Sequence, residues 1–139
     1  TLGGHVAVED FANVSAGSGV HQFCRVGRHA FIGGYSVVTK DALPFARTVG
    51  SRPARIFGAN TIGLMRRGVP PDVIEKLKRS FRYLTQSKLN TTKALQKIAG
   101  DKALACAEVQ YLVDFIRASQ RGVILRRATR KAEEILADE

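Results

Sequence analysis

Residues 2–43 repeat every six positions, and divided into sixes they read LGGHVA, VEDFAN, VSAGSG, VHQFCR, VGRHAF, IGGYSV and VTKDAL. An aliphatic residue opens every hexad, and a short side chain follows four positions after it. A period of six fits neither an α-helix, with 3.6 residues per turn, nor a strand that alternates every two residues. It predicts a solenoid with three sides per coil, so that residues 18 apart stack on successive coils.

The stacked positions predict the interior of this solenoid. Leu2, Val20 and Val38 form one ladder; Val8 and Val26 form a second; Val14 and Ile32 form a third; and Val6, Cys24 and Ala42 form a fourth at a corner. Glycines 17, 19, 27, 33 and 34 are expected to supply the backbone freedom of the corners. A small β-sandwich is the alternative, but it would show period-two alternation and Asn-Gly or Asp-Gly turns, and neither dipeptide occurs in residues 1–43.

The start of the repeat indicates a longer protein. Seven hexads make only two and a third coils, no cap precedes Leu2, and the sequence opens on Thr1 rather than Met. Because an uncovered coil edge invites pairing with other chains, we expect the chain to begin within a solenoid.

The composition changes near position 60, because 11 of the 13 glycines lie at or before position 68. We therefore divide the chain into residues 1–58, the last coils with an exit loop over 43–58, and residues 59–139, an antiparallel helical domain. The first predicted helix covers 60–67 and ends at Gly68, and the second is opened by Pro70 and Pro71. A third helix is capped by Asn90 or Thr91 and a fourth by Asp101. An amphipathic tail is predicted over 126–136. The faces predicted to be buried hold Ile74, Leu77, Phe81 and Leu84 on the second, Ala94, Leu95 and Ile98 on the third, and Ala105, Val109, Leu112 and Ile116 on the fourth.

The charge is unevenly placed, since residues 59–139 carry +7 of the net +10. A basic surface suits nucleic acid, an anionic membrane, an acidic protein or a phosphorylated small molecule. Nucleic acid is disfavoured because no aromatic stacking motif accompanies the basic helix, in which Phe81 is needed for the core and Glu75 is placed to pair with Arg79. No apolar run could span a membrane and no signal peptide is visible, and Cys24 and Cys106 offer neither a disulfide framework nor a metal site. We expect a cytoplasmic protein.

Four features of the sequence carry a resemblance to a known family. The run from Val20 through His21, Gln22 and Phe23 to Gly34, then Asn60, the stretch 63–68 with its two arginines, and the Arg-Gly pair at 121–122 resemble the UDP-N-acetylglucosamine O-acyltransferases of lipid A biosynthesis over about residues 1–125. The resemblance implies a left-handed parallel β-helix, a hexapeptide-repeat solenoid, followed by a C-terminal α-helical bundle. It also implies a homotrimer with active sites between subunits, which transfers a 3-hydroxyacyl chain from acyl carrier protein to the 3-hydroxyl of UDP-N-acetylglucosamine. No cofactor is bound, since the acyl chain travels on the carrier's phosphopantetheine arm.

The resemblance also implies roles for individual residues. Gly4 offers the N–H that faces the developing oxyanion, and His5 is a supporting residue beside the sugar or acyl chain. His21 and Gln22 contact the donor or acceptor, and Gly34, without a side chain, leaves room for a long acyl chain. Asn60, Arg66 and Arg67 surround the nucleotide, where paired guanidiniums suit a diphosphate.

Two positions depart from the family pattern. The general-base histidine belongs about one coil before His5, outside this chain, and His29 is expected to be structural, stacked at one corner with Phe11. Ile62 stands where a polar or acidic residue is frequent. Two alternatives remain open: another hexapeptide acyltransferase that uses acyl-coenzyme A, and a non-catalytic trimerisation or binding fragment. The sequence does not decide the acyl chain length or whether the acceptor carries a 3-hydroxyl or a 3-amino group.

Overall fold

The structure is a computed structural model and describes residues 1–128. Six two-residue strands come first, one on each side of the coil in turn. They are β1 (Ala7–Val8), β2 (Asn13–Val14), β3 (Gly19–Val20), β4 (Arg25–Val26), β5 (Phe31–Ile32) and β6 (Val37–Val38). β1 pairs with β4, β2 with β5 and β3 with β6, all in parallel, so that each sheet forms one face of the coil.

The pairing confirms three of the four predicted ladders. Val8 is opposite Val26, Val14 is opposite Ile32, and Val20 is opposite Val38, with Leu2 joined to Val20 by a parallel bridge. Val20, Val26, Ile32 and Val38 are all buried, together with the short side chains Ser18, Cys24, Ala30 and Ser36. The hexad therefore predicts both the register and the interior of these coils.

The corners are formed differently from the expectation. A left-handed φ between 55° and 73° occurs three positions into six successive hexads, at His5, Phe11, Gly17, Phe23, His29 and Tyr35. Of the five glycines expected at corners, only Gly17 has a positive φ. Gly27 and Gly33 are instead required by close packing, because an added Cβ would lie 2.6 Å from Pro44 N and 2.7 Å from Val49 Cγ2. Bulky side chains thus project outward from corners whose backbone is left-handed.

The fourth predicted ladder is wrong at Ala42, because the last coil is two residues short, whereas Val6 and Cys24 keep the 18-residue register of β1 and β4. Ala42 lies opposite Val26 rather than above Cys24, and Thr48 lies opposite Ile32. Both spacings are 16 residues instead of 18. Phe45, with φ 64°, takes the corner above His29, which an unbroken 18-residue coil would give to Arg47. A periodicity argument could not find this slip, since Ala42 is small and apolar in either register.

Residues 43–58 are more than an exit loop. β7 (Ala46–Val49) extends the β2–β5 sheet in parallel, and β8 (Arg55–Ala59) returns antiparallel to it. The side chains of Leu43, Phe45, Ala46 and Ile56 join the core of the helices, whereas Ala54 joins the interior of the coils. The hairpin is thus shared between the two hydrophobic cores.

Within the described residues four α-helices follow, at or near the predicted positions: α1 (Thr61–Arg66), α2 (Pro71–Thr85), α3 (Thr91–Gly100) and α4 (Ala107–Arg117). The side chains of Asn60 and Asn90 cap α1 and α3 by accepting the N–H groups of Gly63 and Lys93. All four residues predicted for the buried face of α2 are buried, and so are Ala94, Leu95 and Ile98 of α3.

Three local expectations about the helical part are wrong. Asp101 caps a short 3₁₀ helix, Lys102–Leu104, so that α4 starts later than predicted and Ala105 is exposed. Glu75 pairs with Arg82 rather than with Arg79, which pairs with Asp101 at 3.5 Å. Residues 126–128 run in extended form beside β8, where Ile56 N donates to Arg126 O and Ala128 N donates to Ile56 O. The rest of the expected tail lies outside the described residues.

Within residues 1–128, none of the helices is both long enough and apolar enough to cross a membrane. Both cysteines are unpaired, with Cys24 buried and Cys106 partly exposed.

Candidate active site

The larger of two candidate clefts lies between the β2–β5 face of the coil and the start of the helical part. We call it the arginine cleft; its volume is about 740 Å³. Three guanidinium side chains, those of Arg47, Arg66 and Arg67, are on its wall, and its described lining includes no carboxylate. The lining consists of Phe11, Asn13, His29, Phe31, Arg47, Ala59, Asn60, Thr61, Ile62, Gly63, Arg66 and Arg67. Such a cleft favours a ligand with more than one negative charge.

Asn60 lies in this cleft but has a structural task as well. Its side-chain oxygen accepts the N–H of Gly63 at 3.3 Å, and its amide nitrogen donates to the carbonyl of His29 at 3.0 Å. Gly63 leaves room for that side chain, since an added Cβ would lie 2.4 Å from Asn60 Nδ2. Asn60 therefore fixes α1 against the coil and orients the two arginines that follow.

A column of rings along one corner forms part of the same cleft. Phe11 stacks on His29 at 4.9 Å and His29 on Phe45 at 5.8 Å, and Tyr111 of α4 meets Phe45 edge-on at 5.7 Å. The Arg67 guanidinium lies 4.8 Å from the Phe11 ring centre, at the exposed end of the column. The expected stacking of His29 with Phe11 is thus present. Burial lowers the pKa of His29, and the positive charges of Arg28 and Arg67 lower it further.

The second cleft, of about 540 Å³, lies on the β3–β6 face. We call it the glycine cleft, because it is lined by Gly3, Gly4 and Gly19, together with Thr1, Val20, His21, Gln22, Val37 and Arg121. An added Cβ would meet nothing within 4 Å at Gly4 and only Thr1 O, at 4.0 Å, at Gly19. Bare backbone is therefore open to a ligand here, beside the polar side chains of His21 and Gln22.

The structure brings six of the eight sequence-predicted site residues into the two clefts and leaves two outside them. Gly4, His21 and Gln22 line the glycine cleft, and Asn60, Arg66 and Arg67 line the arginine cleft. His5 lies outside their linings and stacks on Phe23, with ring centres 5.0 Å apart and planes 3° from parallel. Gly34 is exposed, and an added Cβ would lie 3.6 Å from Ala16 O, an ordinary contact.

Comparison with known proteins shows which family has this sequence and fold. A family model described as UDP-N-acetylglucosamine O-acyltransferase, domain 2, matches residues 41–124, which is more than half of the chain. The chain belongs to this family. The match covers the end of the shortened coil, the hairpin and the four described α-helices, so membership does not rest on the hexads.

Individual relatives agree with the family assignment. The acyl-[acyl-carrier-protein]–UDP-N-acetylglucosamine O-acyltransferase of Burkholderia mallei is 40% identical over 126 residues, which are 88% of this chain and 48% of the relative. The UDP-N-acetylglucosamine acyltransferase structure from Bacteroides fragilis superposes with a TM-score of 0.82 at 39% identity, covering 88% of this chain and 50% of that one. The Arabidopsis enzyme gives 0.81 at 34% identity, over 87% and 45%. The chain thus spans about half the length of these family members.

Sequence reasoning missed two arginines of the clefts. Arg47 lies in β7 and reaches the arginine cleft only because the shortened coil places β7 beside β5. Arg121 follows α4 and returns to the glycine cleft, 82 residues after Thr39, whose carbonyl it contacts. The Arg-Gly pair at 121–122 was a signal for the second, although it did not show where the side chain goes.

Proposed function

We propose that the chain supplies the nucleotide cleft and part of the donor cleft of an enzyme of lipid A biosynthesis. The enzyme transfers a 3-hydroxyacyl chain from acyl carrier protein to the 3-hydroxyl of UDP-N-acetylglucosamine. The observation that carries this proposal is the arginine cleft, in which Arg47, Arg66 and Arg67 meet without a carboxylate in the described lining. One guanidinium can bind two oxygens of a phosphate group through parallel hydrogen bonds. Three guanidiniums therefore match the several oxygens and the negative charge of a diphosphate.

The glycine cleft fits the reacting end of the donor. Gly4 has no neighbour on its open side, so a thioester carbonyl can approach the backbone N–H that would stabilise the oxyanion. The family's general-base histidine corresponds to a position ahead of His5 that these 139 residues do not include. We therefore assign the base to none of His5, His21 and His29, and we expect little turnover from the 139 residues alone.

The proposal includes a left-handed coil and a homotrimer, as in the resemblance. Six large hydrophobic side chains of the described residues support the assembly, because they are more than half exposed: Leu2, Phe11, Phe23, Tyr35, Ile62 and Met65. Covering such side chains removes apolar area from water. Sedimentation equilibrium tests this point, and a stable monomer at micromolar concentration would contradict it. The unpaired cysteines agree with a reducing compartment, and we propose the cytoplasm.

A cationic cavity beside the arginine cleft supports docking of the acidic carrier protein. It measures about 360 Å³ between the hairpin and α2, and it is lined by Arg47, Lys78 and Arg82, of which Arg82 pairs with Glu75 at 3.5 Å. Arg47, Ala59 and Thr61 belong to both cavities, so the positive surface is continuous with the arginine cleft. A continuous basic surface accelerates association with an acidic protein at low ionic strength.

Titration of the chain with UDP-N-acetylglucosamine in a calorimeter tests the function. Arg66→Gln should weaken binding roughly tenfold to a hundredfold, as expected from loss of one charge-assisted contact. Lys88→Gln removes one exposed charge from the turn after α2 and is the matched control, with unchanged affinity. Equal affinities for wild type and Arg66→Gln, or no binding at all, would contradict the proposal.

A further inference from the structure

The Arg121 guanidinium reaches the glycine cleft from the far end of the helical part. Arg121 follows α4, yet its Nη2 donates to the carbonyl of Thr39, on the coil, at 3.2 Å. The same side chain lines the cleft together with Gly4, His21 and Gln22. The open backbone at Gly4 and the Arg121 cation therefore belong to one cavity, although the two residues are 117 positions apart.

The position of Arg121 is fixed by the backbone on either side of it. Two residues earlier, Ser119 Oγ donates to Asp41 Oδ2 at 2.6 Å. On the other side, Asp41 N donates to Gly122 O at 2.9 Å and Ile124 N donates to Asp41 O at 3.0 Å. Gly122 has a φ of 83°, a conformation that favours glycine. The backbone that carries the Arg121 guanidinium is thus fixed to the coil through Asp41.

The charge of Arg121 faces a cleft whose described lining holds no opposite charge. No carboxylate lines the glycine cleft, and Arg121 is the one permanently charged side chain of its described lining. Its near neighbour is the thiol of Cys24, whose pKa is raised by burial and also by Asp41, while the charge of Arg121 and its hydrogen bond to that thiol act in the opposite direction. The contacts with Thr39 O and with the Cys24 side chain occupy fewer than the five guanidinium N–H groups, so donors remain for a ligand.

The two clefts differ in charge, and this difference indicates which ligand each takes. The arginine cleft has three guanidiniums and suits a diphosphate, whereas the glycine cleft has one guanidinium above an open glycine floor. A neutral, linear amide chain that ends in a single phosphodiester matches the second arrangement. The phosphopantetheine arm of an acyl carrier protein has that chemistry.

We infer that Arg121 binds the phosphate of the donor's phosphopantetheine arm and so positions the thioester over Gly4. The inference rests on the proposed function. The inference adds Arg121 as a binding residue for the donor, although Arg121 lies after α4 and far from the coil in sequence. A charge-assisted hydrogen bond to phosphate accounts for roughly a tenfold to hundredfold change in affinity.

Two small probes, 4′-phosphopantetheine and pantetheine, test the inference on the 139-residue chain. They differ only in the phosphate, and binding is followed by NMR titration. The wild-type chain should prefer the phosphorylated probe roughly tenfold or more, and Arg121→Gln should remove that preference while pantetheine binding stays unchanged. Arg117→Gln, an exposed charge loss at the end of α4, should keep the preference and is the matched control.

Folding and the proposed function are checked separately. Circular dichroism shows whether each variant is folded, and Arg121→Lys, which retains the charge, should keep part of the preference if Arg121→Gln does not fold. Equal affinity of the wild-type chain for both probes, or a retained preference in folded Arg121→Gln, overturns the inference. If the inference about Arg121 fails but UDP-N-acetylglucosamine still binds, the proposed function stands without that inference. If the wild-type chain binds none of the three compounds, both the inference and the proposed function are overturned.

Discussion

Ser119 Oγ donates a 2.6 Å hydrogen bond to the carboxylate of Asp41, which lies 78 residues earlier in the chain. The Asp41 side chain is only 1% exposed, and it also accepts the N–H of Arg25 at 2.8 Å. The Arg25 guanidinium lies 3.8 Å from the same carboxylate, donates to Phe115 O at 3.1 Å and packs 3.9 Å from the Phe115 ring centre. These contacts fix the end of α4 to the last coil.

Replacing Asp41 should therefore loosen the junction between the coils and the helices. We expect Asp41→Ala to lower the free energy of unfolding by about 2–3 kcal/mol, because it leaves the Arg25 N–H and the Ser119 hydroxyl without their acceptor. Urea unfolding followed by circular dichroism measures the change. Asp10→Ala, an exposed aspartate in a corner, is the control and should stay within about 0.5 kcal/mol of wild type. Equal stabilities of the two variants would show that the junction does not depend on Asp41.

An added methyl group should have little effect on stability at Gly4 but should destabilise the protein at Gly27. Gly4→Ala meets no atom within 4 Å, whereas a Cβ at Gly27 would lie 2.6 Å from Pro44 N. We expect Gly4→Ala to change stability by less than about 0.5 kcal/mol and Gly27→Ala to cost about 1–3 kcal/mol. In a full-length enzyme, Gly4→Ala should nevertheless reduce kcat, since the methyl group blocks approach to the backbone N–H. Full activity of folded Gly4→Ala would argue against the oxyanion role.

Arg47 should contribute to acceptor binding although no sequence motif marks it. It is partly buried in β7 and lines both the arginine cleft and the adjoining cationic cavity. We expect Arg47→Gln to weaken binding of UDP-N-acetylglucosamine roughly tenfold, because one phosphate contact is removed. The affinity of the variant should depend on salt concentration no more steeply than that of wild type. Calorimetric titration at two ionic strengths measures both effects, with Arg117→Gln as the matched control. An affinity equal to that of wild type would exclude Arg47 from the nucleotide cleft.

The stability of the ring column should depend on pH through His29. Its pKa lies below the ordinary value of 6.5, because of burial first and then of Arg28 and Arg67, while Glu108 acts in the opposite direction. The unfolded chain therefore takes up this proton more readily than the folded one. The contribution of His29 to stability is complete above the unfolded pKa and is lost as the pH falls through the folded value.

We therefore expect His29→Phe, which retains a ring between Phe11 and Phe45, to lose less stability than wild type on going from about pH 7 to about pH 5. Urea unfolding across this range measures the difference. His5→Phe, at another left-handed corner stacked on Phe23, controls for placing a phenyl ring at such a corner. A decline in His29→Phe as steep as in wild type would contradict this interpretation.

The candidate site was partly visible in the sequence. Arg66 and Arg67 are adjacent, and His21 and Gln22 lie within one hexad, so each pair stays together whatever the rest of the chain does. Arg47 and Arg121 enter the clefts through long-range contacts, which composition and spacing do not report. Asn60 was expected at the ligand, and its hydrogen bonds to Gly63 and His29 show that it also fixes the position of α1.

The sequence by itself determined the coil interior and most of the helix boundaries. An aliphatic residue that recurs every six positions faces the interior on each of the three sides of a coil, so residues 18 apart stack on successive coils. Capping residues such as Asn60 and Asn90 act within one helical turn. The tertiary structure alone decided the 16-residue last coil, the junction of Asp41 with Ser119, and the return of Arg121 to the glycine cleft. The reason is that local patterns fix which way a side chain faces, whereas the partner it meets depends on the path of the chain across tens of residues.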